Sequence, residues 1–326
     1  MRAITIPRFG GPEVLTLTDA PQPTPGPGDV SIDVAWAGVN YAEILFRSGV
    51  VDLELPYVPG IEVAGTVRAV GEEVTGLRPG QQVAALTMLR GGGYGQVAVT
   101  DARLVCPLPA GADLKLAAAT PSNTSTAFLV LERTARLQKG ESVLVHAAAG
   151  GVGSQLGQVA RLLGASQVVG TVGSPEKIEH AKALGYDHVL LRDELPAAAA
   201  DLTDGRGFDI AVDPVGGAAR TQSMQALGIG GRLVAMGNAS GADDVPFGAN
   251  DLWMSGKAVL GFNLASLAAE APQEITDALR RALTAVLDGS VTVPISRTFA
   301  HDEAAEAHRH IGSGLSTGKT VLAIGA

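Results

Sequence analysis

The stretch ESVLVHAAAGGVGSQLGQVARLLGA, residues 141–165, constrains the fold more than any other part of the chain. An apolar run, Val143–His146, leads into a cluster of small residues rich in glycine. Apolar residues then recur with the spacing of one helix face: Val152, Leu156, Val159 and Leu163. Gly164 stands where glycine commonly ends a helix. The stretch therefore predicts a strand, a tight turn and a helix.

The same alternation continues along the chain from about Leu116. Short apolar runs, each followed by a helical segment or a turn, are Val143–His146, Gln167–Thr171, His188–Leu191, Phe208–Asp213, Arg232–Met236 and Ala258–Phe262. Strands that alternate with helices predict a parallel, doubly wound sheet, which is the Rossmann type of α/β fold.

The two ends of the chain follow other patterns. Roughly the first 110 residues are dense in Gly and Pro with short alternating runs, which predicts an irregular β-rich domain. Near the C-terminus, the sequence predicts a helix that ends at Gly289 and a last strand in KTVLAIGA; the helical stripe is Ile275, Leu279, Ala282 and Val286. Because this segment is too small for a core of its own, we expect it to rejoin the first domain.

The glycine-rich turn indicates a ligand. Ala148-x-Gly150-x-x-Gly153 is a variant of the dinucleotide-binding fingerprint, placed between a predicted strand and a predicted helix. Small residues let the backbone approach a pyrophosphate, whose charge the helix N-terminus stabilises. The residues predicted to bind it are Ala148, Gly150, Gly151, Val152 and Gly153. A tight strand-to-helix turn without a ligand is the alternative.

The residues after the second strand of this domain indicate which dinucleotide binds. Chains that prefer an unphosphorylated ribose usually place Asp or Glu about 20 residues after the glycines. Here Gly173 and Ser174 stand near that position, followed by Lys177, and Arg192 comes after the third strand. A hydroxyl and cations suit a 2′-phosphate, so we predict NADPH. Solvated surface charges are the alternative for Lys177 and Arg192.

Composition argues against several classes of protein. The net charge is −9 with no basic block, which disfavours a nucleic-acid or anionic-membrane partner. No apolar run reaches the roughly 18 residues of a membrane helix, and the N-terminus lacks the apolar core of an export signal. Cys106 is the only cysteine, so neither an intrachain disulfide nor a cysteine-rich zinc site can form. We expect a cytoplasmic enzyme or ligand-binding protein.

With these motifs placed, the chain resembles over its full length the zinc-independent medium-chain dehydrogenases/reductases of the quinone oxidoreductase (zeta-crystallin-like) group. The blocks that carry the resemblance are GVNYAEILFRSG (38–49), LPYVPGIEVAGTV (55–67), GLRPGQQVAAL (76–86), HAAAGGVG (146–153), GTVGSPEK (170–177), VDPVGG (212–217), GRLVAMGNASG (231–241) and STGKTVL (316–322). The resemblance implies a GroES-like catalytic domain of partly open β-barrel type at residues 1–118 and 264–326. A Rossmann domain at 119–263 would be inserted in it, with the active site in the cleft, and the protein would be a homodimer.

The same resemblance bears on metal binding. Zinc-containing relatives carry ligands where this chain has Asn40, Ile61 and a position near Ser122, so no metal is predicted. His308 and His310 form a close pair, which we interpret as the solvated face of a late helix. Without a metal to polarise it, the hydride acceptor must already be electrophilic, as quinones and α,β-unsaturated carbonyls are.

The resemblance also implies residues at the reacting end of the cofactor. Those expected near the nicotinamide and the substrate are Asn40, Tyr41, Thr126, Gly237 and Asn238, with less support for Asn263. Lys319 falls in a block that lies near the adenosine phosphate in some relatives. Structural roles are the alternatives: a turn for Asn40, a core aromatic for Tyr41, a helix threonine bonded to its own backbone for Thr126, and a surface lysine for Lys319.

A tyrosine often found in these relatives is replaced here by Val51, and a second one, found in some quinone oxidoreductases, is replaced by Leu45. The expected pocket is therefore more apolar and lacks the obvious proton donor for an enoyl reduction. Tyr94, in the flexible-looking segment RGGGYGQ, is a candidate replacement. The leading interpretation is an NADPH-dependent reductase of quinones or activated alkenes. A stand-alone enoyl-thioester reductase and a catalytically idle NADPH-binding protein are the alternatives.

Overall fold

The computed structural model describes residues 1–325. Its strands, in chain order, are β1 (Arg2–Thr5), β2 (Thr16–Asp19), β3 (Asp29–Val39), β4 (Glu62–Val70), β5 (Gln82–Leu86), β6 (Val97–Asp101), β7 (Val105–Pro107), β8 (Ser142–His146), β9 (Gln167–Val172), β10 (His188–Leu191), β11 (Phe208–Asp213), β12 (Leu227–Ala235), β13 (Ala258–Gly261), β14 (Ile295–Ala300) and β15 (Lys319–Ala323). Its α-helices are α1 (Tyr41–Ser48), α2 (Leu114–Ala118), α3 (Pro121–Phe128), α4 (Gly153–Leu162), α5 (Ile178–Lys182), α6 (Leu195–Leu202), α7 (Ala218–Ala226), α8 (Ala249–Ser255), α9 (Leu264–Glu270), α10 (Pro272–Leu287) and α11 (Ala304–Gly312).

The chain divides into two units. One comprises residues 1–125, 264–289 and 293–326, and the other comprises residues 126–263 and 290–292. The sequence predicts boundaries after residues 118 and 263, and the structure divides the chain after residues 125 and 263.

The unit around residues 126–263 contains a six-stranded sheet in the order β10-β9-β8-β11-β12-β13, with every neighbouring pair parallel. The strands at its centre are apolar because both of their faces are covered; Val143 and Leu144 of β8 and Ile210 of β11 are fully buried. Each strand predicted from the apolar runs is present, which confirms the doubly wound sheet. The strand order changes direction between β8 and β11, and dinucleotides bind at such a switch point in related folds.

Helix α4 follows β8 as the spacing predicts. Leu156 and Val159 are fully buried, and Gly164 adopts a φ of +91°, as a glycine that ends a helix does. A Cβ atom on Gly157 would lie 2.5 Å from the ring of Tyr186, so the missing side chain lets the helix pack closely on its neighbour.

The other unit contains a sheet in the order β14-β15-β3-β4-β5-β7, with β6 also paired to β3. Its neighbouring strands are antiparallel except β14 and β15, which are parallel. Strand β15 pairs with β3, where Thr320 lies opposite Val39, so the C-terminal segment does rejoin the first domain. Helix α10 contributes Leu279 and Leu283 to a core cluster that includes Ala64 and Ala117. Among residues 1–325, every helix is too short or too polar to cross a membrane.

Candidate functional site

The turn between β8 and α4 is tight and brings the helix N-terminus close to the end of the strand. Ala147 adopts a φ of +54°, and its carbonyl oxygen accepts a hydrogen bond from the Gly150 amide at 2.9 Å. A Cβ atom on Gly153 would lie 2.2 Å from that oxygen, so only glycine allows α4 to begin this close to the strand. A Cβ atom on Gly150 would approach only the same Ala147 oxygen, at 3.2 Å. The predicted binding residues 148–153 therefore form one tight turn that leads into α4, and their binding of a pyrophosphate stays a prediction.

Basic side chains gather beyond the carboxyl end of β9. A Cβ atom on Gly173 would lie 3.8 Å from Nη2 of Arg192, and the buried Nε atom of Arg192 has no hydrogen-bond partner among residues 1–325. Partial burial and the nearby Arg192 lower the pKa of Lys177. The hydroxyl of Ser174 lowers the pKa of the neighbouring Glu176. The structure thus brings together Gly173 with Ser174 and the two cations that the sequence analysis singles out.

The loop after β12 is held by hydrogen bonds within the same unit. Arg220 donates from Nη2 to the Gly237 carbonyl at 2.7 Å, and a Cβ atom on Gly237 would lie 2.9 Å from the Pro214 carbonyl. Asn238 donates from Nδ2 to the Ala242 carbonyl at 2.7 Å. This loop follows a parallel strand at the same edge as the glycine-rich turn, but the Asn238 amide is already engaged by its own loop.

Asn40, in the other unit, belongs to a buried charged cluster. Its Nδ2 atom donates to Oε1 of Glu62 at 2.8 Å, and the Lys319 ammonium donates to Asn40 Oδ1 at 2.5 Å. The same ammonium forms an ion pair with Glu62 Oε1. Lys319 is 2% exposed and Glu62 is fully buried. A lysine that binds a cofactor phosphate needs an accessible ammonium, so this placement differs from what the sequence analysis expects of Lys319.

The positions that hold metal ligands in zinc-containing relatives surround two buried carboxyl groups. The backbone N–H groups of Asn40 and Ile61 donate to the Glu43 carboxyl group, at 2.5 and 3.0 Å. The backbone N–H group of Ser122 donates to Oε2 of Glu62 at 2.7 Å. Among residues 1–325, no group of three or more His, Cys, Asp or Glu side chains is placed to hold a metal ion. The contacts of Glu43 and Glu62 with Asn40 were not predicted from the sequence.

Two sequence interpretations are wrong. Tyr94 is fully buried rather than on a flexible loop, because its carbonyl oxygen accepts from the Ile4 amide at 3.0 Å and its side chain packs in the core. His308 is fully buried rather than solvated, because it shares a face of α11 with the buried Ala304 and Ala307. The Tyr94 hydroxyl and His308 Nε2 lie 3.3 Å apart, and burial lowers the pKa of His308 to about 3. Tyr94 is thus unavailable as a proton donor to a bound ligand.

The remaining predicted residues are placed as follows. Tyr41 is the first residue of α1 and is 37% exposed. Thr126 lies in α3, in the other unit, and is buried. Val51 is partly exposed just beyond α1. The roles of Tyr41 and Thr126 beside a ligand stay predictions.

Glu43 gives the stability of the protein a pH dependence. Burial raises its pKa from 4.5 to about 8, although backbone hydrogen bonds from Asn40 and Ile61 and the charge of Lys319 act in the opposite direction. Between these two values the folded chain keeps a proton that the unfolded chain has lost. The stabilisation is therefore complete below pH 4.5 and is lost as the pH rises to 8, with a slope of at most about 1.4 kcal/mol per pH unit.

We expect the variant Glu43→Gln to lack this slope, because glutamine does not titrate. Urea unfolding between pH 5 and 8 measures the difference in slope between the two proteins, whatever their absolute stabilities. Glu179→Gln, at an exposed position of α5, is the matched control and should follow the unsubstituted protein. If the free energy of unfolding changed with pH by the same slope in Glu43→Gln and in the unsubstituted chain, the raised pKa of Glu43 would be contradicted.

Comparison with known proteins places these sites in a family. Residues 26–110 match the alcohol dehydrogenase GroES-like domain, and residues 151–284 match the zinc-binding dehydrogenase family. A quinone oxidoreductase of Pseudomonas aeruginosa is 34% identical over 330 residues, which cover 98% of this chain and 99% of the relative. The chain belongs to the quinone oxidoreductase family. The resemblance read from the sequence blocks is thereby confirmed, and with it the GroES-like and Rossmann fold class.

Solved structures of family members have a similar fold. The quinone oxidoreductase of Pseudomonas syringae pv. tomato is similar with a TM-score of 0.92 at 32% identity, covering 99% of both chains. The Escherichia coli quinone oxidoreductase, solved in complex with NADPH, gives a TM-score of 0.91 at 27% identity and covers 99% of this chain and 100% of that one. Membership of this family makes the chain an oxidoreductase.

Proposed function

We propose that the protein is an NADPH-dependent oxidoreductase that transfers hydride to a quinone or an α,β-unsaturated carbonyl compound without zinc. The observation that carries the proposal is the placement of Lys177 and Arg192 around Gly173, beyond the strand that follows the glycine-rich turn. The unpartnered Nε of Arg192 is a donor that a 2′-phosphate would satisfy. The E. coli relative solved with NADPH supports the same cofactor.

Different residues of the chain would bind different parts of this cofactor. The amides at the start of α4 would hold the pyrophosphate, since the turn at residues 148–153 leaves room for it. Ser174, Lys177 and Arg192 would hold the 2′-phosphate. When bound, NADPH supplies the hydride, and the protein's part is to orient the acceptor and to stabilise the charge that develops on it.

The residues expected beside the acceptor favour an activated substrate. Asn40 is a hydrogen-bond donor or acceptor that does not titrate, and Leu45 and Val51 offer no proton donor. A quinone or an enone delocalises the developing negative charge through its own carbonyl group, so hydrogen bonds and orientation suffice. For the same reason we propose that zinc plays no part. Metal analysis of the purified protein tests this, since stoichiometric zinc would contradict it.

A second candidate is a stand-alone enoyl-thioester reductase. Val50 is 71% exposed and Val51 follows it, so this apolar segment could contact an acyl chain. A proton donor for that reaction is missing at the two positions that carry tyrosine in some relatives.

The test is NADPH oxidation by the purified protein, compared with NADH, using a panel of quinones, enones and 2-enoyl thioesters. We expect quinones or enones to turn over with NADPH preferred. Turnover of thioesters alone would replace the proposal with the second candidate. Tight NADPH binding without turnover of any acceptor would indicate a catalytically idle binding protein.

We extend the proposal to a cytoplasmic homodimer. Ile229 is 94% exposed, and Trp253 and Met254 are also exposed, near the edge strand β13. Large apolar side chains gathered at a sheet edge are typical of surfaces that associate. The single cysteine fits a reducing compartment.

A further inference from the structure

Lys319 and Glu62 constrain the side chain of Asn40 from two sides. The ammonium donates to Asn40 Oδ1, and Glu62 Oε1 accepts from Asn40 Nδ2. Glu62 is itself fixed, because its other oxygen accepts from the Ser122 amide at 2.7 Å. Lys319 comes from β15 and Asn40 follows β3, and these strands are paired. The cluster is thus held by the Ser122 amide and by the pairing of the strands that carry Lys319 and precede Asn40.

The chemistry of the two partners permits one orientation of the amide. An ammonium has only hydrogens to donate, so the Asn40 atom that faces it must be the carbonyl oxygen. A carboxylate only accepts, so the atom that faces it must be the NH₂ group. A reversed amide would set hydrogens against the ammonium and an oxygen against the carboxylate. Since Lys319 and Glu62 are buried, water does not screen these contacts, and the reversal is strongly disfavoured.

The remaining hydrogen of Asn40 Nδ2 is then fixed in direction. One amide hydrogen is used by Glu62, which leaves one for a further acceptor. An NH₂ group held in this way can donate to a carbonyl oxygen, and its donor strength grows as negative charge builds up on that oxygen. Without its two partners, the amide would rotate and present either atom.

We infer that Lys319 and Glu62 are positioning residues that hold Asn40 as a hydrogen-bond donor to the oxygen of the hydride acceptor. This inference rests on the proposed function, which places Asn40 beside the substrate. It assigns Lys319 a role in catalysis through Asn40 and none in binding the phosphates of the cofactor.

The experiment is a cycle of four proteins: the unsubstituted chain, Asn40→Ala, the pair variant Glu62→Gln/Lys319→Met, and the variant with all three changes. The pair variant removes both buried charges together, so neither is left without its partner. In it, the glutamine at position 62 can bond either end of the Asn40 amide, and the orientation is no longer fixed. Thr100→Val is the matched control, because Thr100 makes a buried hydrogen bond to the Leu86 carbonyl at 2.7 Å in the same unit, away from Asn40.

We expect Asn40→Ala to lower kcat by about 100- to 1,000-fold, the range for loss of one aligned donor to a developing oxyanion. The pair variant should lower kcat by a smaller factor, because a freely rotating Asn40 amide still presents its NH₂ group part of the time. KM for NADPH and the preference for NADPH over NADH should stay within about twofold of the unsubstituted protein. The triple variant should be no slower than Asn40→Ala, since the pair acts through Asn40. Thr100→Val should keep full kcat.

If the losses of kcat in Asn40→Ala and in the pair variant multiplied in the triple variant, the inference would be overturned, because the pair would then act independently of Asn40. A raised KM for NADPH with an unchanged KM for NADH would also overturn it, because Lys319 would then serve the adenosine phosphate. Circular dichroism of each variant establishes that it is folded before kinetics are compared.

A second readout needs no turnover and separates this inference from the proposed function. The side-chain NH₂ of Asn40 gives an NMR signal that is identified by its loss in Asn40→Ala. We expect slow hydrogen exchange of this group in the unsubstituted protein and exchange at least about tenfold faster in the pair variant. Equal exchange rates would overturn the positioning role even in an active enzyme. Faster exchange in a protein that oxidises no NADPH would support the positioning while contradicting the proposed function.

Discussion

Replacing Lys177 and Arg192 together by alanine is expected to lower the preference for NADPH over NADH by about 100-fold, measured as the ratio of the two kcat/KM values. A hydrogen bond to a charged group contributes about 1.5–3 kcal/mol, so two such bonds to a 2′-phosphate are worth roughly 3 kcal/mol at the lower end. The lower end applies because both cations are only partly buried. The effect should reside in KM for NADPH, since the phosphate lies far from the transferred hydride.

Activity with NADH is the internal reference for this change. It should vary by less than about threefold, because NADH lacks the group that the two cations contact. Lys182→Ala is the matched control: Lys182 lies on α5, the helix that begins directly after Lys177, and pairs with the exposed Glu179 at 2.8 Å. If the double variant loses NADH and NADPH activity equally, the cations shape the protein rather than select the cofactor. If neither activity changes, the 2′-phosphate binds elsewhere.

The sequence predicts the nucleotide-binding unit well because its signals are local. The central strands of a parallel sheet are buried on both faces, so each appears as a short run of β-branched residues between helices, as Val143–His146 does. Gly153 and Gly164 stand at positions where the backbone admits no other residue without strain or collision. Such features depend on neighbours within a few residues and are visible without coordinates.

The grouping of Lys177 with Arg192 depends on a contact between segments that follow two consecutive strands. Parallel strands place their carboxyl ends at one edge of the sheet, so residues that follow β9 and β10 must approach each other. The basic group is therefore predictable from the sequence, because consecutive strands are usually neighbours in the sheet.

The cluster around Asn40 has no such signal. Glu62 is 22 residues from Asn40 and Lys319 is 279 residues away, and each looks like an ordinary surface charge in the sequence. Only the pairing of β15 with β3 brings the Lys319 ammonium next to the Asn40 side chain. His308 escapes prediction for a related reason: the identity of its partner, Tyr94, depends on a contact across 214 residues. Burial of a single polar residue is a property of the tertiary fold and not of its neighbours in sequence.

The largest expected effect on stability comes from separating Lys319 from Glu62. Lys319→Met should lower the free energy of unfolding by about 3–5 kcal/mol, because it leaves the Glu62 carboxylate buried without its cation. Denaturant unfolding followed by tryptophan fluorescence measures this loss, which is a large part of the stability of a typical domain.

The pair variant Glu62→Gln/Lys319→Met should recover most of that loss, because two buried charges disappear together and no desolvated ion remains. A surface pair gives the matched control: Arg68 and Asp33 lie 2.8 Å apart in the same unit, each about half exposed, so Arg68→Met should cost less than about 1 kcal/mol. If Lys319→Met cost no more than Arg68→Met, the ammonium would not be neutralising Glu62 in the folded protein. If the pair variant were less stable than Lys319→Met, hydrogen bonding within the cluster would outweigh the cost of burying its charges. The difference between the single and pair variants therefore measures the cost of burying the Glu62 carboxylate without its cation.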